Sequence, residues 1–150
     1  LEQIPNHKHI DPKLMGAEYD PNNEYSLPYM WGTLGILYNT TMVDEEIDSW
    51  DVLWDPKYTK EILMLDSQRD SIGAALLKLG YSINTKDPQQ LAEAAELLKR
   101  QKPLVLAYVV DEGKDKMASG EGTLALTWSG EGQDASAGIR VLGDGVRGFP

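Results

Sequence analysis

Carboxylates and a tryptophan are the residues of this 150-residue chain whose types and spacing suggest chemistry. Asp66 and Asp70 lie in the stretch Asp66-Ser-Gln-Arg-Asp70, directly behind the apolar run Ile62–Leu65. Trp128 and Glu131 lie in Trp128-Ser-Gly-Glu131, behind a second apolar run, and Asp111-Glu112 follow a third. A tryptophan face attracts an organic ammonium group by roughly 0.5–2 kcal/mol, depending on desolvation. Carboxylates add charge-assisted hydrogen bonds. Together these residues suit an organic cation. Two other readings stand beside that one. Acids near helix starts stabilise the helix dipole without any ligand, and Trp128 equally fits a core position. Asp66 and Asp70 would also serve as the acid and base of a hydrolase.

The elements that must position these residues follow from periodicity and punctuation. Gly32–Asn39, Glu61–Leu65, Leu104–Val110, Thr123–Trp128 and Ile139–Leu142 read as strands, Glu61–Leu65 and Leu104–Val110 as buried ones. Ser49–Trp54 reads as a short helix capped by Ser49. Ile72, Ala75, Leu76 and Leu79 fall at helical spacing, with Gly80 where a C-terminal cap belongs. Asp87-Pro88 opens a second helix whose apolar face is Leu91, Ala94, Ala95 and Leu98. Asp111–Ser119 and Ser129–Ala137 read as two more helices. Strand and helix alternate, which predicts an α/β fold with a mostly parallel sheet flanked by helices on both faces. Such sheets bind ligands outside the carboxyl ends of their strands. That rule brings Asp66, Asp70, Trp128 and Glu131 to one rim. Helix N-termini there are electropositive, and the three acids are placed to reverse that field.

The first 30 residues carry Pro5, Pro12, Pro21 and Pro28 and read as a surface segment, with a short strand near Tyr29–Trp31. Residues 1–142 read as one α/β lobe, and Gly143–Pro150 as an irregular tail. The formal charge of −10 argues against nucleic acid and anionic lipid as partners. The absence of cysteine excludes a disulfide scaffold, a thiol nucleophile and a Cys-type zinc site. His7 and His9 read as solvated loop residues, so no metal is expected. The glycines form neither a P-loop nor a dinucleotide fingerprint, so no cofactor is expected either. No stretch reaches the roughly 18 apolar residues of a membrane span. The N-terminus has neither the basic nor the apolar region of a signal segment, so a targeting signal is read as absent from this chain.

An ordered set of short motifs resembles the extracytoplasmic solute-binding proteins of bacterial ABC transporters for spermidine and putrescine. The set comprises Ile10-Asp-Pro12, Tyr19-Asp-Pro-Asn-Asn23, Tyr25-Ser-Leu-Pro-Tyr29, Trp31-Gly-Thr-Leu-Gly35, Ser49-Trp50, Leu53-Trp54, Lys78-Leu-Gly-Tyr-Ser82, Asn84-Thr85, Asp87-Pro88 and Leu126-Thr-Trp-Ser-Gly130. The resemblance implies a type II periplasmic-binding-protein-like lobe, the second of two, closing on a polyamine. It implies no enzyme activity, a membrane permease as partner, and a periplasmic or membrane-anchored extracytoplasmic location. By the same resemblance Trp128 packs against the polyamine methylenes and Asp70 binds an amine. A second family acid falls on Ser67, so that carboxylate is missing, and Asp66 is its neighbour. Glu131 takes the place of an aspartate found in putrescine-type relatives. The choice between putrescine and spermidine stays open. Lobes of this design also carry iron, thiamine or phosphonates. Arg69 is the only basic residue in the rim motifs, which disfavours anionic cargo.

Overall fold

The computed structural model describes residues 3–30, 32–130 and 139–142. Glu131, most of the predicted 129–137 helix and the 143–150 tail lie outside them. The described residues form two compact units, one ending at Gly32 and one beginning at Thr33.

In the first unit the prolines act as the sequence suggests. Two 3-10 turns, Pro5–His9 and Pro12–Leu14, each open on proline. The loop that follows is organised by one buried carboxylate. Asp20 accepts hydrogen bonds from the backbone N–H groups of Glu24 (2.9 Å), Tyr25 (3.0 Å) and Ser26 (2.8 Å) and from the Ser26 hydroxyl (2.8 Å). Burial alone would raise its pKa. The Ser26 hydroxyl and the three backbone donors outweigh that and hold it below the usual aspartate range. Asn23, at φ 51°, accepts from the Gly16 N–H and donates to the Ser26 carbonyl. Tyr29 and Met30 belong to no strand, contrary to expectation. Pro28 removes a backbone donor there, and no strand lies within the described residues of this unit to pair with them.

The second unit is a five-stranded sheet. Its strands are β1 (Leu34–Asn39), β2 (Ile62–Leu65), β3 (Val105–Val109), β4 (Leu124–Trp128) and β5 (Ile139–Leu142). The spatial order is β3-β2-β4-β1-β5. β2 runs parallel to β3 and β4, while β1 runs antiparallel to β4 and β5. Four strands therefore point one way and β1 alone is reversed, so the sheet is mixed, with two parallel and two antiparallel pairings, within the expected α/β class. The helices are α1 (Gln68–Lys78), α2 (Pro88–Gln101) and α3 (Glu112–Ala118). Gly80 and Gly120, at φ 76° and 78°, stand just past α1 and α3, where a left-handed residue ends a helix at no steric cost.

Side-chain alternation sorts the core into two faces. Ile36, Ile62, Met64, Leu124 and Leu126 pack with Leu53, Tyr58 and Ala74 of α1. Leu37, Leu63 and Ala125 pack with Val109 and with Met117 of α3. Helices thus cover both faces, as expected. Two details depart from the sequence reading. α2 buries Ala94, Leu97 and Gln101, whereas Leu91 and Ala95 face solvent. The helix is turned by polar anchors: Trp54 Nε1 donates to the Leu97 carbonyl (3.1 Å), and Gln101 Nε2 donates to the Leu53 carbonyl (2.7 Å). β3 is also not buried on both faces. It is an edge strand, with Leu106 and Tyr108 exposed between buried Val105 and Val109.

Among the described glycines, Gly122, just before β4, lies tightest against the core. A Cβ there would lie 2.7 Å from Leu63 Cδ1 and 3.2 Å from Met117 Sδ, and both side chains are fully buried. Gly122→Ala is expected to cost about 1–3 kcal/mol by overpacking. A urea melt checks this, and an unchanged midpoint would show that the core yields at this point.

Candidate functional site

The rim is built where β2, β3 and β4 end together. Leu65 is the last residue of β2, and the Asp66 N–H continues the ladder by donating to the Val109 carbonyl at 2.9 Å. Ser67 then caps α1: its hydroxyl accepts from the Asp70 N–H at 3.4 Å. The buried Ser71 hydroxyl donates back to the Leu65 carbonyl at 2.7 Å, which ties the first turn of α1 to the end of the strand. Asp66 is exposed, whereas Ser67 and Asp70 are half-buried.

β4 delivers Trp128 to the same rim. Ile62 pairs with Leu124 and Leu63 with Ala125. Counting three residues further along both strands sets Asp66 level with Trp128. Trp128 is 36% exposed, while Leu124 and Leu126 on the same side of the strand are buried. Its ring is therefore not absorbed by the core. Behind it, the Ser129 N–H donates to the Thr33 carbonyl (2.8 Å) and the Thr33 N–H donates to the Ser129 hydroxyl (3.2 Å). The reversed strand β1 starts at this edge, with Leu34 opposite Trp128.

Asp66, Ser67, Asp70 and Trp128 thus lie along the carboxyl edge of two adjacent parallel strands, and Glu131 lies outside the described residues. Asp111, at the end of β3, is exposed and caps no helix through its side chain. Arg69 turns to Asn84, with Nη2 3.1 Å from Oδ1. Ser71 and Thr33 hold the rim and were not singled out in the sequence. Ser71 leaves a signal, a hydroxyl four residues past a helix cap. The Thr33–Ser129 pair spans 96 positions and leaves none.

The other candidates are placed as follows. His7 lies in a 3-10 turn with Nδ1 2.7 Å from the Ile4 carbonyl. Among the described residues no group of three or more His, Cys, Asp or Glu could hold a metal ion. No helix among them is long and apolar enough to cross a membrane. A concavity of about 790 Å³ lies within the first unit, lined in part by Met15, Tyr19, Tyr29 and Met30. None of its lining residues is a predicted site residue.

The second unit is thus an open, mixed α/β sheet with acids and a tryptophan at the carboxyl edge of its parallel strands. The chain belongs to the family described as bacterial extracellular solute-binding protein, which matches residues 3–141. It is 39% identical over 129 residues to the spermidine/putrescine-binding periplasmic protein of Salmonella typhimurium, covering 85% of this chain and 37% of that one. Among solved structures, the spermidine/putrescine ABC transporter substrate-binding protein PotD of Streptococcus pneumoniae matches at 41% identity with a TM-score of 0.77. That match covers 91% of this chain and 43% of the other. The TpPotD lipoprotein of Treponema pallidum matches at 31% identity with a TM-score of 0.82, covering 94% of this chain and 46% of the other. The chain thus spans less than half the length of the relatives it matches. Those relatives are named as binding proteins, which leaves the acid–base reading of Asp66 and Asp70 without support.

Proposed function

We propose that this chain is the second lobe of an extracytoplasmic solute-binding protein that captures a polyamine, putrescine or spermidine, for an ABC transporter. The observation that carries the reading is the parallel adjacency of β2 and β4. It supports a site in which Asp70 and Asp66 meet the ligand's ammonium groups. Trp128 covers its methylenes, the Ser67 hydroxyl accepts a further N–H, and Glu131 takes part from beyond β4. Polyamines are long, flexible dications or trications. Carboxylates at one point and an aromatic face at another match that spacing of charge and hydrocarbon. Capture by this family fold is a hinge closure of two lobes, and the closed form is what a membrane permease would recognise. The names of the relatives favour a periplasmic location.

A lobe alone supplies half of such a cage, so its affinity for spermidine is expected to be weak. Titrating spermidine to millimolar concentration at low salt should shift the NMR signals of the Trp128 indole N–H and the Ser67 and Asp70 amides in fast exchange. A neutral diol of similar length should not shift them. Shifts confined to other residues, or equal shifts with the diol, would overturn this placement.

A further inference from the structure

Trp128 is the last residue of β4, and the chain is already helical at Ser129 and Gly130. In an antiparallel ladder every second pair exchanges two backbone hydrogen bonds. Thr33 and Ser129 fall on that phase. At the far end of β1 the Asn39 N–H donates to the Thr123 carbonyl, and alternate positions lead from Asn39 back to Thr33. One bond of the Thr33–Ser129 pair is the regular backbone one, from the Ser129 N–H to the Thr33 carbonyl at 2.8 Å. The other is not. A residue that enters a helix aims its carbonyl along the helix axis, and the Thr33 N–H donates to the Ser129 hydroxyl at 3.2 Å. The serine side chain stands in for the backbone acceptor that the change of direction takes away.

The consequence falls on Trp128. With the pair after it closed, its backbone is held as strand up to the point where the chain leaves the sheet. Gly130 contributes no packing to this, because a Cβ built there meets no described atom within 4 Å. The ring itself is 36% exposed, so the core fixes it less than it fixes Leu124 and Leu126. A serine also ties the other strand-to-helix passage of this edge, where the Ser71 hydroxyl donates to the Leu65 carbonyl at 2.7 Å. There the hydroxyl satisfies a backbone acceptor, and at Ser129 it supplies one. Without it the N–H of half-buried Thr33 loses its partner. We propose that Ser129 is a positioning residue: its hydroxyl holds Trp128 in the place where the ring meets a ligand. The inference rests on the reading of Trp128 as a ligand-contacting residue, whereas the effect on the ring itself needs no ligand.

Two variants of the full chain test this by NMR, with far-UV circular dichroism as the check on folding. Ser129→Ala removes the hydroxyl and keeps the N–H, while Ser129→Thr keeps both. Without ligand, Ser129→Ala should speed hydrogen exchange at the Thr33 amide and lower the heteronuclear NOE of the Trp128 indole N–H. The amides of Met64 and Leu65 should keep their protection, because the opening is local. Ser129→Thr should match the wild type. In a spermidine titration Ser129→Ala should bind about threefold to tenfold more weakly, the scale of one neutral hydrogen bond, and Ser129→Thr should restore the affinity. A Ser129→Ala chain with wild-type indole order and affinity overturns the proposal. So does an equal loss of protection across the whole sheet, or a Ser129→Thr chain that behaves like Ser129→Ala. If the wild-type Trp128 signal ignores spermidine, the ligand reading fails, and the order of the free indole alone decides whether Ser129 positions the ring.

Discussion

Trp54→Ala is expected to destabilise the chain by about 3 kcal/mol, from the range seen for large aromatic truncations. The ring packs against the main core cluster and also against the satellite cluster of Ala75, Leu76, Ala94 and Leu97. Its indole N–H holds the Leu97 carbonyl, and the Lys78 ammonium sits 5.4 Å from its ring centroid. One truncation therefore opens a void between α1 and α2 and orphans a carbonyl of α2. Against a total stability of about 5–15 kcal/mol this is a large fraction. A fall in melting temperature of about 10 °C or more follows for a unit of this size. Trp54→Phe separates the contributions: most of the packing stays, the hydrogen bond goes, and the expected cost is about 1 kcal/mol. Equal losses in the two variants would place the effect in the hydrogen bond and refute the packing account.

The second large effect concerns binding. Asp70→Asn is expected to weaken spermidine binding about tenfold or more, the scale of a lost charge-assisted hydrogen bond. Asparagine keeps the shape and fits the first turn of α1, so the fold should hold apart from a small loss at the helix dipole. Ser67→Asp works in the opposite direction. It returns a carboxylate to a helix cap, where aspartate caps as well as serine does. Affinity should rise by a similar factor, and more at low salt than at high salt. Both changes are read from the concentration dependence of the same NMR shifts. Wild-type affinity in Asp70→Asn would remove that residue from the site, while an unchanged Ser67→Asp would show that position 67 faces away from the ligand.

Much of this unit was legible in the sequence because its signals are local. Asp87-Pro88, Gly80, Gly120 and the short apolar runs each mark an element boundary through backbone chemistry within a few residues. The carboxyl-edge rule then grouped Asp66, Asp70 and Trp128 before any contact was known. What sequence left hidden depends on distant partners. The face of α2 is chosen by Trp54 and Gln101 reaching across the unit, so Leu97 displaced Leu91 from the buried stripe. The half-exposure of β3 follows from its place at the sheet edge, which its apolar composition does not encode. The reversal of β1 likewise follows from its neighbours, not from its own residues. The Asp20 cage left a clue in Asp20-Pro-Asn-Asn23, but which donors a carboxylate will gather depends on how the loop folds back.

The reversed direction of β1 has a mechanical consequence. A strand parallel to its neighbours would enter the sheet at the end remote from the edge that carries Asp66 and Trp128. β1 enters at that edge instead, and its threshold residue Thr33 is fastened by two hydrogen bonds to Ser129, the residue after Trp128. The start of β1 and the end of β4 are thus one joint, so substitutions that free Thr33 or Ser129 loosen the edge at Trp128 before they reach the middle of the sheet.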